Sequence, residues 1–171
     1  QILFEDYNFE EKNSLGQSYY DMALEGDDST DVIGFLEIIE EYPTTKAANL
    51  SHFYAGIIYL HKQEYETAIE HLKSFSSDDL LISTRALSGI GDAYAEIGKT
   101  EEAVKYYKEA SNNNPNPYLT PINLLKLGQA LEALPSLNDA KACYEKIKSE
   151  YPNSPEGLEI DKYIARVNAK I

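Results

Sequence analysis

The chain is short of the residues that most catalytic and metal chemistry requires. Only one of its 171 residues is a cysteine, Cys143, which excludes an intrachain disulfide and any cysteine-rich metal framework. Lys and Arg number 15 against 29 Asp and Glu, a net charge of −14 that repels a phosphate backbone or an anionic membrane surface. Nucleic acid is therefore not an expected partner. No run approaches the roughly 18 consecutive apolar residues of a spanning helix. The glycines of a phosphate-cradling loop are missing, as is a Gly-x-Ser-x-Gly elbow. His52, His61 and His71 are nine and ten residues apart, so on a helix the first two fall on opposite faces and the third lies beyond a turn. No enzyme activity is expected, and no catalytic residue, cofactor, metal or small-molecule substrate.

What is present is helical patterning. Arg85 to Pro115 places Leu87, Ile90 and Tyr94 on one side of Gly98-Lys99, and Ala103, Tyr107 and Ala110 on the other, all at helical spacing. This predicts two amphipathic helices packed across a tight turn, with Gly91 small enough to let them approach closely. One such hairpin cannot bury both its faces, so neighbours of the same design are needed. A chain of this length supports one domain. Its acidity reads as a solvated outer surface, and Cys143, within Ala140-Lys141-Ala142-Cys143-Tyr144, as a small buried hydrophobe.

Residues 1–43 are expected to form a degenerate first hairpin. Ile2, Leu3, Phe4, Tyr7 and Phe9 alternate with acidic residues as in an amphipathic helix, and Ser18 can cap a short segment holding Tyr19, Tyr20, Met22 and Ala23. Gly26 to Asp31 then interrupts, and a helix is expected to resume from Val32 to Tyr42-Pro43. Asp27, Ser29 and Asp31 alternate like calcium ligands, but Val32 replaces the sharp-turn glycine and Ile38 the bidentate glutamate, so a plain capped loop is expected. Clear hairpins follow over 45–75, 80–115 and 120–152. Thr44 or Thr45 caps the first, Thr120-Pro121 is expected to supply a cap and a first-turn proline to the third, and Ser136 with Asp139 resembles a capping box. Ser154-Pro155 opens a terminal helix over 154–171. Asn49-Leu50-Ser51 fits a glycosylation acceptor, although it lies at a helix start.

Aligned on their turns, the hairpins superimpose Gly56, Gly91 and Gly128, at intervals of 35 and 37 residues. The same register superimposes Tyr59, Tyr94 and Leu131, then Ala68, Ala103 and Ala140, then Leu72, Tyr107 and Tyr144. Gly-x-x-Tyr, an alanine twelve residues after the glycine and a large residue four later resemble the signature of the tetratricopeptide repeat family. Departures are His52 for a large apolar residue, Phe75 for a small one, and Pro135 where the turn glycine normally lies. The resemblance implies an all-α fold, a right-handed α-α superhelix of three clear repeats with a degenerate hairpin before them and a capping helix after. More loosely, the chain is similar to short bacterial cell-envelope proteins of this family, which implies a periplasmic location and N-terminal anchoring, with the cytoplasm as the alternative. Because the sequence begins at Gln1 rather than methionine, any membrane attachment is expected through a segment absent from it.

The resemblance also implies a protein or peptide partner held on a concave wall built by the first helix of each pair. Phe53, Ile57, His61, Arg85, Ser88, Asp92, Glu96, Leu125 and Gln129 are the candidate contact residues, with Leu50, Ile122 and Glu132 on the same faces. The lysine and asparagine of a carboxylate clamp are missing from the matching positions. A wall apolar at one end and acidic in the middle is expected to suit a segment with hydrophobic anchors and a basic residue. The alternative is a structural subunit whose terminal helices mediate association, with the groove filled by the chain's own residues.

Overall fold

The computed structural model describes residues 19–27 and 32–171. The expected helix within Gln1–Leu15, the Ser18 cap and most of the acidic loop fall outside these residues. Among them the fold is helical apart from one short antiparallel pairing.

That fold is punctuated by its Tyr-Pro dipeptides, because a residue before proline is pushed out of the helical region. Tyr42 and Tyr151 close their helices at φ/ψ of −129/47 and −130/46. Three residues after each tyrosine a hydroxyl caps the next helix. Thr45 Oγ1 donates to Tyr42 O at 2.8 Å and accepts from Ala48 N at 3.1 Å. Ser154 Oγ donates to Tyr151 O at 2.9 Å and accepts from Gly157 N at 3.0 Å. The same four-residue device thus opens the helix that starts the clear repeats and the helix that ends them.

The helices are α1 (Tyr19–Glu25), α2 (Phe35–Glu41), α3 (Lys46–His61), α4 (Tyr65–Ser74), α5 (Leu80–Glu96), α6 (Thr100–Asn113), α7 (Thr120–Glu132), α8 (Leu137–Glu150) and α9 (Pro155–Asn168). β1 (Gly26–Asp27) pairs antiparallel with β2 (Val32–Ile33) between α1 and α2. The helix expected to resume at Val32 therefore starts later, at Phe35. Gly34 sets that start, since a side chain there would come 2.3 Å from the backbone of Glu25 and Gly26.

From α3 onward each helix packs chiefly on its sequence neighbours, α4 bridging α3 and α5, α6 bridging α5 and α7, and α8 bridging α7 and α9. The odd-numbered helices thereby share one side: α3 touches α5, α7 touches α9, and Lys126 of α7 bonds to Asp92 of α5. This is a solenoid of stacked hairpins, whose core is divided among successive interfaces.

The sequence register is a packing register. Ala68, Ala103 and Ala140 are each fully buried where two helices cross. A side chain on Gly56, Gly91 or Gly128 would meet Leu72, Tyr107 or Tyr144 at 2.6, 2.6 and 2.3 Å. The turns differ. Gln63 and Gly98 both take positive φ, 63° and 75°, and both turns close with a bond spanning five residues, Glu64 N to Tyr59 O and Lys99 N to Tyr94 O, each 2.9 Å. Pro135 occupies the matching position of the third turn and cannot adopt that conformation, so α7 ends in tighter bonds, Leu134 N to Leu131 O and Ser136 N to Leu134 O.

Two expected caps are corrected. Thr120 is the first residue of α7, and its hydroxyl accepts from Asn116 N at 2.8 Å. Asn116 Oδ1 instead collects the N–H groups of Tyr118 and Leu119 at 3.0 and 2.8 Å. Ser136 makes no side-chain cap bond, so no capping box forms with Asp139. Pro135 and the compressed turn place Ser136 at φ −130, ψ 43, a conformation that does not turn its hydroxyl onto the helix. The Asn49 amide is committed in both directions to the Ser76 backbone, at 2.7 and 3.0 Å, so the acceptor triplet serves to tie α3 to the chain after α4.

Candidate protein-binding groove

The faces of α3 and α5 that point away from α4 and α6 meet across an open groove of about 460 Å³, with Lys126 of α7 closing one side. Ile57, Leu60 and His61 contribute from α3, Tyr65 from the start of α4, and Arg85, Ser88, Gly89, Asp92 and Glu96 from α5. Gly89 keeps the two helices close, since a side chain there would come 3.0 Å from Leu72 Cδ1 and 3.1 Å from Leu60 Cδ1. Arg85, Ser88, Asp92 and Glu96 line one wall because they recur every three or four residues, one helical turn apart.

Of the candidate residues, Ile57, His61, Arg85, Ser88, Asp92 and Glu96 come together here. Phe53, Leu125 and Gln129 do not line this groove. Phe53 is half-buried one turn before Ile57, its ring 5.2 Å from Phe75 and 5.4 Å from Tyr54, so the large residue at position 75 supplies its packing partner. Leu125 packs on the core shared by α7, α8 and α9, and Gln129 is exposed on α7. Glu132 is not a wall residue either. It accepts hydrogen bonds from the Tyr144 hydroxyl at 2.7 Å, from Arg166 and from Lys170, which fastens α9 to α7. Burial raises the Glu132 pKa, but those three bonds outweigh it and hold the group at about 2.

The acidic middle expected of the wall is cancelled from α7. Lys126 Nζ lies 2.8 Å from both oxygens of Asp92 and 3.4 Å from Ser88 Oγ, and the Tyr107 hydroxyl donates to Asp92 at 2.8 Å. The Tyr107 phenol is pushed far up, first by burial and then by the Asp92 charge. Lys126 is the charged groove residue that the sequence reading missed, along with Leu60, Tyr65 and Gly89. Its spacing on α7, one turn after Ile122, was the available signal. Glu96 lies against the Tyr65 hydroxyl at the far end of the wall. Arg85, exposed at the near end, has no ion pair or hydrogen bond with any described residue. The Tyr20 ring stacks on His61 at 5.6 Å, and desolvation, followed by the Arg85 charge, lowers the His61 pKa.

A second pairing also escaped the histidine spacing. The Nδ1 atoms of His52 and His71 lie 3.1 Å apart across the α3–α4 hairpin, and Tyr59 stacks on His71. One ring donates and the other accepts, so the accepting imidazole is neutral, and burial lowers the pKa of both. Among the described residues no group of three or more metal-ligating side chains is present, and no helix is long and apolar enough to cross a membrane.

Residues 84–117 match a tetratricopeptide repeat family model, and residues 123–154 match a second tetratricopeptide repeat model. Over these two segments the chain is similar to tetratricopeptide repeats. The matched segments are α5 with α6 and α7 with α8, so one wall of the groove is the first helix of a matched repeat. The α3–α4 hairpin has the glycine and alanine packing of both matched segments and the turn geometry of α5–α6, with His52, Gln63 and Phe75 as its departures. Tetratricopeptide repeats generally mediate protein–protein interaction, and their family is typically a non-enzymatic scaffold. No curated protein matches the chain.

Proposed function

We propose that this protein is a non-enzymatic interaction scaffold and that the groove between α3 and α5 holds a segment of a protein partner. The observation that supports the reading is convergence: six of the nine residues selected from helical spacing meet in one open groove of about 460 Å³ beside matched repeats. Their side chains offer apolar surface and hydrogen-bonding groups together, as peptide-recognition sites do. Stacked hairpins hold such a wall rigidly, so little ordering is needed on binding. A photo-reactive residue placed at Glu96 in the groove, and in a second variant at Glu109 on α6, tests this in extract of the source cells. The reading expects one partner, cross-linked from position 96 through a defined peptide, and not from position 109. Equal cross-linking from both positions contradicts it.

We further propose a cell-envelope location and a role as an accessory subunit of an assembly or secretion complex, supported by the acidic composition and the paired Tyr-Pro turns. Fractionation of source cells tests this, and recovery from the cytoplasm alone contradicts it. A second reading, association through the terminal helix, is favoured by Leu158 and Ile171, which are 75% and 64% exposed. Sedimentation of Leu158→Ser beside the parent chain distinguishes it, since only that reading expects a change in mass.

A further inference from the structure

Charge accounting along the groove reverses the partner chemistry expected from the sequence. Asp92 is matched by Lys126 and bonded by Tyr107, and Glu96 lies against the Tyr65 hydroxyl. Arg85 is the groove cation that no described residue answers. Apolar surface flanks it on both sides. Leu81, one helical turn before Arg85 on α5, is 52% exposed. Ile122, one turn before Lys126 on α7, is 37% exposed. On the other side Ile57 and Leu60 form the floor of the groove.

Resting on the groove being the partner site, we infer that its occupant is a protein segment presenting an acidic side chain to Arg85, with a large apolar residue on either side of that acid. One apolar residue lies on Leu81 and the other over Ile57 and Leu60. Arg85 to Glu96 spans eleven helical steps, about 16 Å, which accommodates about five extended residues. A guanidinium suits a carboxylate because it donates two parallel hydrogen bonds in one plane. A net charge of −14 works against acidic segments everywhere else on the surface, so selection of an acid is a local property of this site.

Selection of a random heptapeptide library on phage against the full chain, with Arg85→Glu and, outside the groove on α6, Glu109→Gln run in parallel, tests the inference. The expected result is enrichment of Asp or Glu flanked by Leu, Ile or Phe on the parent chain and on Glu109→Gln. On Arg85→Glu, Lys or Arg replaces the acid at the same position. A synthetic peptide of the enriched sequence is expected to bind Arg85→Glu about tenfold more weakly, with a smaller difference in high salt. Enrichment of basic peptides that Arg85→Glu leaves unchanged overturns the acidic assignment while keeping a binding surface. Recovery of the same peptides from all three proteins, or of none, overturns the groove itself as the site, whether a second copy or the chain's own residues 1–18 fill it instead. Circular dichroism of Arg85→Glu confirms that loss of binding is not loss of fold, since Arg85 is exposed and bonded to no described residue.

Discussion

Gly128 and Tyr144 share a space that holds only one side chain: a methyl on Gly128 would lie 2.3 Å from Tyr144 Cε1. Sixteen residues separate them, as they separate Gly91 from Tyr107 and Gly56 from Leu72. In each hairpin the large residue of the second helix lies flat over the glycine of the first.

Substitution of these glycines is therefore expected to scale with what lies opposite. Gly128→Ala and Gly91→Ala press on tyrosine rings whose hydroxyls are also fixed, by Glu132 and Asp92, and are expected to cost about 2–3 kcal/mol. Gly56→Ala meets Leu72, whose Cγ and Cδ2 lie at 2.6 and 2.8 Å but which has no hydroxyl anchored elsewhere, and is expected to cost less. Urea denaturation checks the order, and equal losses at all three positions would contradict it.

Gln63 carries a conformation that Gly98 adopts without strain, φ of 63° beside 75°. Left-handed backbone costs a residue with a side chain about 1 kcal/mol, and nothing lies within 4 Å of a side chain built on Gly98. Gln63→Gly is expected to raise stability by about 0.5–1 kcal/mol, and Gly98→Gln to lower it by a similar amount. A lower melting temperature for Gln63→Gly would contradict the turn assignment.

Three histidines set a pH dependence with one sign. His52, His61 and His71 all have lowered pKa values, first through burial, so the unfolded chain binds more protons below about 6.5. Stability is full above about pH 6.5 and falls as acid passes toward the folded values. The groups facing His71 act in opposite senses, His52 opposing charge on it and Glu70 favouring it. The urea midpoint is expected to drop between pH 7 and 5, and to drop less in His71→Gln. A midpoint that rises over that range would contradict this.

Glu132 adds a second, more acidic window. With its pKa held at about 2 against an ordinary 4.5, it contributes stability above about pH 4.5 that is lost as pH falls toward 2. Arg166 and Lys170 are half-exposed, which limits the contribution to about 2 kcal/mol. Glu132→Gln is expected to release α9, seen as faster tryptic cleavage at Lys162 and Arg166 than at Lys105 and Lys108. Uniform acceleration at all four sites would contradict a local role.

The repeat was legible because small and large residues alternate at fixed spacing, and Gly91, Ala103 and Tyr107 announce a hairpin before any coordinate does. The cap of α3 was narrowed to Thr44 or Thr45 and the start of α9 to Ser154-Pro155, whereas the hydroxyls of Thr120 and Ser136 pointed to caps that do not form. What escaped were relations between helices distant in sequence. Lys126 neutralises Asp92 from 34 residues away, and His52 meets His71 across a hairpin. Helical spacing gives the face of a residue but not the length of a lysine reaching over from the next repeat. Glu132 was misplaced in the same way, because its partners lie on α9. Phe53 and Leu125 carried apolar character that suits a core as well as a groove, and their neighbours decided for the core.

The central claim is that the α3–α5 groove is the working surface, and chemical-shift mapping of the labelled chain against its selected peptide tests it most directly. The account predicts shifts concentrated at Ile57, His61, Arg85, Ser88 and Lys126, with little change on α6 and α8. Shifts centred on the outward faces of α6 and α8, with Arg85 and Ser88 unmoved, would contradict it.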